Sequence, residues 1–253
     1  MERVLEPEWM EGPEQAAAYA SADFTQENQG FVERFSEYFP GFSSGRVLDA
    51  GCGPADIPIR FATRYPSCHV TAVDASMPMI RLAEQAVNGA GLTDRITLRC
   101  ERFDAVPGAN VFDAVLSNSL LHHLPNPLQF WHKLRQLVKP GAPVLVMDLL
   151  RPDSSEEAHA IVERYAAGAP AILRRDFYNS LMAAFTEDGR TQRLARSPPS
   201  PSAGPPGSGF STPPRVRSRP SSRSNGTARS GSTTRGSRRN ERRCRRAWSC
   251  WPS

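Results

Sequence analysis

Lysine is almost missing from this sequence: Lys133 and Lys139 stand against 29 arginines in 253 residues. A bias of that size points to codon usage in a GC-rich gene. Long apolar runs are missing too. No stretch approaches the ~18 consecutive apolar residues of a membrane-spanning helix, so no membrane partner is expected. Met1 to Gly12 is acidic and has no basic start followed by an apolar run, which argues against a secretory signal. Cysteine is scarce. The five present (Cys52, Cys68, Cys100, Cys244, Cys250) form no CxxC pair and no metal-ligand spacing. The expectation is reduced thiols in a cytoplasmic protein, with no bound metal. No internal repeat is found.

What is present divides into two unlike parts. Residues 1–189 carry 16 Arg plus Lys against 25 Asp plus Glu, a net charge of −9. Residues 190–253 carry 15 Arg against the single acid Glu241, a net of +14. The overall +5 therefore describes neither part, and the acidic body disfavours polyanionic partners. Three segments are expected: a helical lid over 1–45, an α/β domain over 46–189, and a tail over 190–253. The tail is mainly Ser, Arg, Pro and Gly. Such a composition buries too little apolar surface to offset chain entropy of ~1–2 kcal/mol per residue, so disorder is expected.

Within the body, apolar and aromatic spacing over 13–39 reads as one or two amphipathic helices. Short apolar strands follow at 46–50, 69–74, 95–99, 112–117 and 142–149. Helical patterns occupy 55–65, 77–90, 127–138, 154–168 and 170–185. Apolar strands alternating with helices predict a parallel sheet buried on both faces, in a Rossmann-like, doubly wound α/β fold.

The most informative stretch is Val47-Leu48-Asp49-Ala50-Gly51-Cys52-Gly53-Pro54, where the first strand should meet the first helix. Gly51 and Gly53 permit a turn tight enough for a ligand to lie against the backbone. Asp74 ends the next strand, 25 residues after Asp49, placed to accept from ribose hydroxyls. A dinucleotide fingerprint would need glycine at position 56. Asp56 stands there instead and would repel a diphosphate. A cationic ligand suits the acidic mouth better.

These residues resemble class I S-adenosylmethionine-dependent methyltransferases of the small-molecule type. VLDAGCGPA is similar to the family's first motif, VDAS at 73–76 to its second, and SNSLLHHLPNP at 117–127 to its fourth. LRQLVKPGAPVLVMD at 134–148 is similar to the helix-turn-strand that follows. The resemblance covers roughly residues 15–185. It implies S-adenosylmethionine as cofactor, with Gly51 and Gly53 under the methionine moiety and Asp49 bonding its amino group or a nearby water. Asp74 would hold the ribose, Ser76 and Met77 would lie beside the adenine, and Arg102 and Phe103 would cover the adenine edge. Where members place an acid to read the adenine amino group, this chain has Arg102. Asn118 would lie near the transferable methyl.

Several other residues carry weaker expectations. His122 and His123 could serve as a base, or one could only cap the loop. Tyr19, Phe24 and Phe31 could line a substrate pocket or pack the helical core. Asp148 and Tyr178 are further pocket candidates. Cys52 has no partner that would make it a nucleophile. The implied reaction is methyl transfer to a small-molecule acceptor. Two other readings stand beside it: a methyltransferase-like protein without turnover, and a nucleic-acid-associated protein that grips phosphates through its arginine tail. The family completes its sheet with two further strands beyond this point. None is legible in the tail, which leaves the fifth strand as an open edge. A shifted reading frame near 186–195 would account for the composition.

Overall fold

The computed structural model describes residues 1–6 and 10–186, and the backbone of residues 248–250. Two helices open the chain, α1 (Pro13–Ser21) and α2 (Thr25–Tyr38). They are followed by β1 (Ser44–Ala50), α3 (Asp56–Arg64), β2 (Ser67–Asp74), α4 (Met77–Gly89) and β3 (Ile96–Cys100). After these come β4 (Ala114–Asn118), α5 (Pro127–Leu137), β5 (Val144–Met147), α6 (Ser155–Ala166), α7 (Ala171–Ala183) and β6 (Trp248–Cys250). Single 3₁₀ turns lie at Phe103–Ala105 and Leu121–His123. The sheet order is β3-β2-β1-β4-β5-β6, with β1 to β5 parallel. The expected doubly wound topology is therefore present.

Side-chain alternation divides the core between the two faces of the sheet. Val47, Val70, Ala72 and Leu116 pack with Phe31 and Phe35 of α2 and Phe61 of α3. Leu48, Ala50, Val73 and Val115 face Phe130, Leu134 and Leu137 of α5. Phe35 meets Phe61 edge to face, with ring centroids 5.0 Å apart. Phe31 thus belongs to the core, the second of its two expected roles, and burying such a ring contributes ~1.5–3 kcal/mol. The same alternation puts Asp49 and Asp74 on the α2/α3 face.

The edge of β5 departs from the sequence reading. Trp248–Cys250 pairs antiparallel with Leu145–Met147, so this edge is not left open. The stretch Ala247 to Trp251 contains two tryptophans, and aromatic residues favour strands. An unpaired apolar edge is a ready template for such a segment. Disorder of the tail, a shifted frame near 186–195 and the arginine-tail partner fall on residues outside the described ones, apart from this strand.

Candidate functional site

The strand order reverses between β1 and β4, so the loops that leave these strands diverge. Ligands of open α/β sheets bind in that crevice. Here it holds an open cavity of about 1580 Å3, walled by Gly51, Gly53, Asp74, Phe103, Asn118 and residues of α1, α6 and α7.

The glycine turn is built by a carboxylate. Gly51 N–H and Cys52 N–H donate to the Val73 carbonyl at 2.9 and 3.0 Å. Gly53 N–H donates to Asp74 Oδ2 at 2.9 Å, and Ser76 N–H to Asp74 Oδ1 at 2.8 Å. One side chain therefore fixes both the turn after β1 and the start of α4. Each carboxylate oxygen keeps acceptor capacity toward the cavity. Gly51 and Gly53 have φ of +78° and +51°. A Cβ on Gly51 would meet Leu120 at 3.0 Å, whereas a Cβ on Gly53 would meet nothing within 4 Å.

Asp49 lies beneath this turn and is 1% exposed. Its Oδ2 has no hydrogen-bond partner among the described residues. Burial, reinforced by the Asp74 carboxylate, pushes its carboxyl up to about 8. Burial also raises Asp74, and the Ser76 and Gly53 amides partly offset that. The Cys52 thiol is pushed well above its ordinary value by burial and then by Asp49 and Asp74, which leaves it a poor nucleophile.

Other expected residues divide between the cavity wall and its surroundings. Tyr19 and Phe24 both line the wall, with ring centroids 4.9 Å apart. Burial and the Asp74 charge raise the Tyr19 hydroxyl to about 12. Arg102 also lines the cavity, in a forked pair with Asp104 at 2.8 and 2.9 Å. Ser76 and Met77 are not in the wall, which is formed there by Ala75 and Met79. Ser76 caps α4 by accepting from Met79 N–H and donates to the Met10 carbonyl at 2.7 Å. Met77 is turned outward, 47% exposed. Tyr178 packs on His159 of α6, and its neighbour Phe177 takes the wall position.

At the opposite rim, Asn118 ends β4, and His122 and His123 form the turn beyond it. All three line the cavity, as does Asp148. His122 Nδ1 lies 2.5 Å from Asp148 Oδ1, and its backbone N–H donates to Asp148 Oδ2 at 2.9 Å. The imidazole is buried, which by itself lowers its pKa, but Asp148 and Glu6 leave it raised. Sequence reasoning missed Glu6. Its carboxylate reaches this rim because Arg3 donates to the carbonyls of His122, Leu124 and Ala183 and stacks over Phe185. Burial would raise the Glu6 carboxyl, yet His123, Ser180 and His122 hold it below its ordinary value.

The profile of the methyltransferase-domain family matches residues 47–141, the segment from the glycine turn through the Asn118–His123 turn and α5. That segment therefore matches a methyltransferase domain. An uncharacterized methyltransferase of Mycobacterium tuberculosis is 36% identical over 107 residues, covering 42% of this chain and 51% of that protein. The 27-O-demethylrifamycin SV methyltransferase of Amycolatopsis mediterranei is 29% identical over 170 residues, covering 63% of this chain and 60% of its own. The chain spans about half the length of the first of these curated relatives. Among solved structures, the plantazolicin methyltransferase BpumL with a pentazolic desmethylPZN analog and SAH is similar in fold. Its TM-score is 0.58 at 18% identity, over 72% of this chain and 67% of that one.

Proposed function

We propose that this methyltransferase domain binds S-adenosylmethionine over the glycine turn and transfers its methyl group to a small-molecule acceptor. The observation that carries the reading is a buried carboxylate oxygen without a partner, Asp49 Oδ2, beside a turn whose Gly53 faces open space. An acid in that position fits a cationic group or a water that bonds to it, and the bare backbone leaves room for a ligand. The residues present therefore fit the cofactor. When bound, S-adenosylmethionine supplies a methyl group on a sulfonium, already a good leaving group.

The chain's own residues have positioning work to do. Asp74 would accept from the ribose hydroxyls while keeping its two amide bonds. Asn118 would fix the end of the cavity where transfer occurs, and Tyr19 and Phe24 would exclude water from it. In-line displacement needs the reacting atoms held ~3–3.5 Å apart, and a partly dry site favours dispersal of the sulfonium charge. A general base is required only for an acceptor of high pKa, so His122 and His123 need not move a proton.

The acceptor side of the cavity is mostly apolar, with Leu149, Ile161, Leu173, Phe177 and Leu181 in its wall. That lining and the acidic body favour an uncharged or cationic organic molecule over a polyanion. The relatives named for rifamycin and plantazolicin methylation support an acceptor of natural-product size.

The test is calorimetry with S-adenosylhomocysteine, followed by a methyl-transfer screen over apolar phenols, carboxylic acids and amines. Saturable binding that Asp74→Ala abolishes is the expected result. Failure of the folded protein to bind S-adenosylhomocysteine or S-adenosylmethionine at millimolar concentration overturns the reading.

A further inference from the structure

Outside the residues assigned to methyl transfer, the second rim contains a cluster with a different chemistry. Glu6, His122 and His123 each present one ligand atom, and these atoms lie within 4.8 Å of one another. Glu6 Oε1 is 3.9 Å from His122 Nε2, and Glu6 Oε2 is 2.8 Å from His123 Nδ1. The shorter contact is a close ion pair, and by angle His123 Nδ1 and Glu6 Oε1 are both buried without a well-aligned hydrogen-bond partner among the described residues. The Glu6 side chain is 8% exposed.

Two further features match a metal centre rather than a plain ion pair. Asp148 bonds His122 Nδ1 at 2.5 Å. This is the arrangement in which a carboxylate fixes the tautomer of a ligating imidazole and leaves Nε2 free to bind. The histidine rings lie against each other at a tilt, with centroids 4.2 Å apart, and the two consecutive residues direct nitrogens to one place through different ring atoms, His122 Nε2 and His123 Nδ1. Two imidazoles and one carboxylate suit Zn2+ and other first-row divalent ions, and three protein ligands leave a coordination position open. Both histidines line the cavity.

We propose that Glu6, His122 and His123 form a binding site for a divalent transition-metal ion of the Zn2+ class in the cavity wall, with Asp148 as the positioning residue for His122. The site is separate from the glycine turn, and binding there does not depend on methyl transfer.

Co2+ titration of the full chain tests this through visible absorption, with Zn2+ as competitor and no S-adenosylmethionine present. One equivalent should give the bands of nitrogen and oxygen coordination, without sulfur-to-metal charge transfer, and Zn2+ should displace it. Glu6→Gln should weaken the affinity at least tenfold, and His123→Ala at least as much. Glu6→Gln removes the ligand charge at nearly constant shape. Its metal-free melting temperature should stay within a few degrees of wild type, while the rise that Zn2+ gives the wild type should vanish. Absence of a saturable band in the wild type overturns the proposal. A band with sulfur character, or wild-type affinity retained in both variants, also overturns it by placing the ion elsewhere. If S-adenosylhomocysteine fails to bind while Co2+ binds as described, the methyl-transfer reading falls and this one stands.

Discussion

The two rims of the cavity are assembled in opposite ways. At the ends of β1 and β2, the groups that shape the wall come from one continuous stretch, Gly51 to Ala75, joined by bonds such as Gly53 N–H to Asp74. At the ends of β4 and β5 they come from three distant segments: Glu6, the Asn118–His123 turn and Asp148. These are held together by Arg3 bridging to Leu124 and Ala183. A local rim keeps its geometry as long as the sheet exists. A rim made of remote pieces depends on each contact that ties the N-terminal segment down. Removing a side chain that bonds across the first rim should therefore affect shape and binding together, whereas on the second rim the two effects should separate.

The largest effect should come from Asp74→Ala. Two part-buried amides, Gly53 and Ser76, would lose their acceptor, and an unsatisfied buried donor costs ~1–3 kcal/mol. Denaturant unfolding should show a loss of about 2–4 kcal/mol, and S-adenosylhomocysteine affinity should fall at least ~100-fold through the lost charge-assisted bonds. Asp74→Ala with full stability would mean the carboxylate does not hold the turn, and the contrast between the rims would fail.

The next comparison separates shape from binding within the first rim. Gly51→Ala combines φ of +78° with a Cβ 3.0 Å from Leu120. It should cost about 2–3 kcal/mol of stability, from left-handed strain plus overpacking. Gly53→Ala, at φ +51° with open space around its Cβ, should cost only ~1–2 kcal/mol. Its methyl enters the cavity, so cofactor affinity should fall more steeply than stability. Paired melts and calorimetry read both effects. Equal loss of binding at equal loss of stability would remove the distinction between the two glycines.

Arg3→Ala addresses the second rim. It removes bonds to the His122, Leu124 and Ala183 carbonyls and the stacking over Phe185, a loss of about 1–2 kcal/mol. Limited proteolysis should then cut near the N-terminus faster, while S-adenosylhomocysteine affinity stays within twofold. A parallel fall in that affinity would show the rims to be coupled.

How much of this was legible in the sequence follows the same division. The β1 turn, the acid ending β2 and the strand–helix alternation were readable because each rests on residues close in sequence. Phe31 could be assigned to the core only once α2 was seen against Phe61. Phe177 rather than Tyr178 lines the cavity because one step along a helix turns a side chain by ~100°. Glu6 carried no local signal: it stands in an acidic stretch that looks like solvated surface, and its partners are more than a hundred residues away. Pairing of Trp248–Cys250 with β5 was hidden by the composition around it.

The smallest effect concerns a single proton on the first rim. Asp49 has its carboxyl raised to about 8 by burial and by Asp74. In the unfolded chain it would titrate near its ordinary value of ~4. Between these limits the folded protein holds a proton that the unfolded chain has released. Its contribution to stability is therefore complete below about pH 4 and is lost as pH rises toward 8. Asp74 is raised as well and acts in the same sense. A cationic ligand over the turn reverses the preference, because an ionised Asp49 attracts it. Calorimetry at pH 6.5 in buffers of different ionisation enthalpy (~pH 6.5 lies between the two limits) should show release of up to one proton as S-adenosylmethionine binds. The release should fade above about pH 9 and disappear in Asp49→Asn. Binding without proton release at the lower pH would mean the Asp49 carboxylate does not meet a cation, and the local rim would then be a structural device rather than a recognition site.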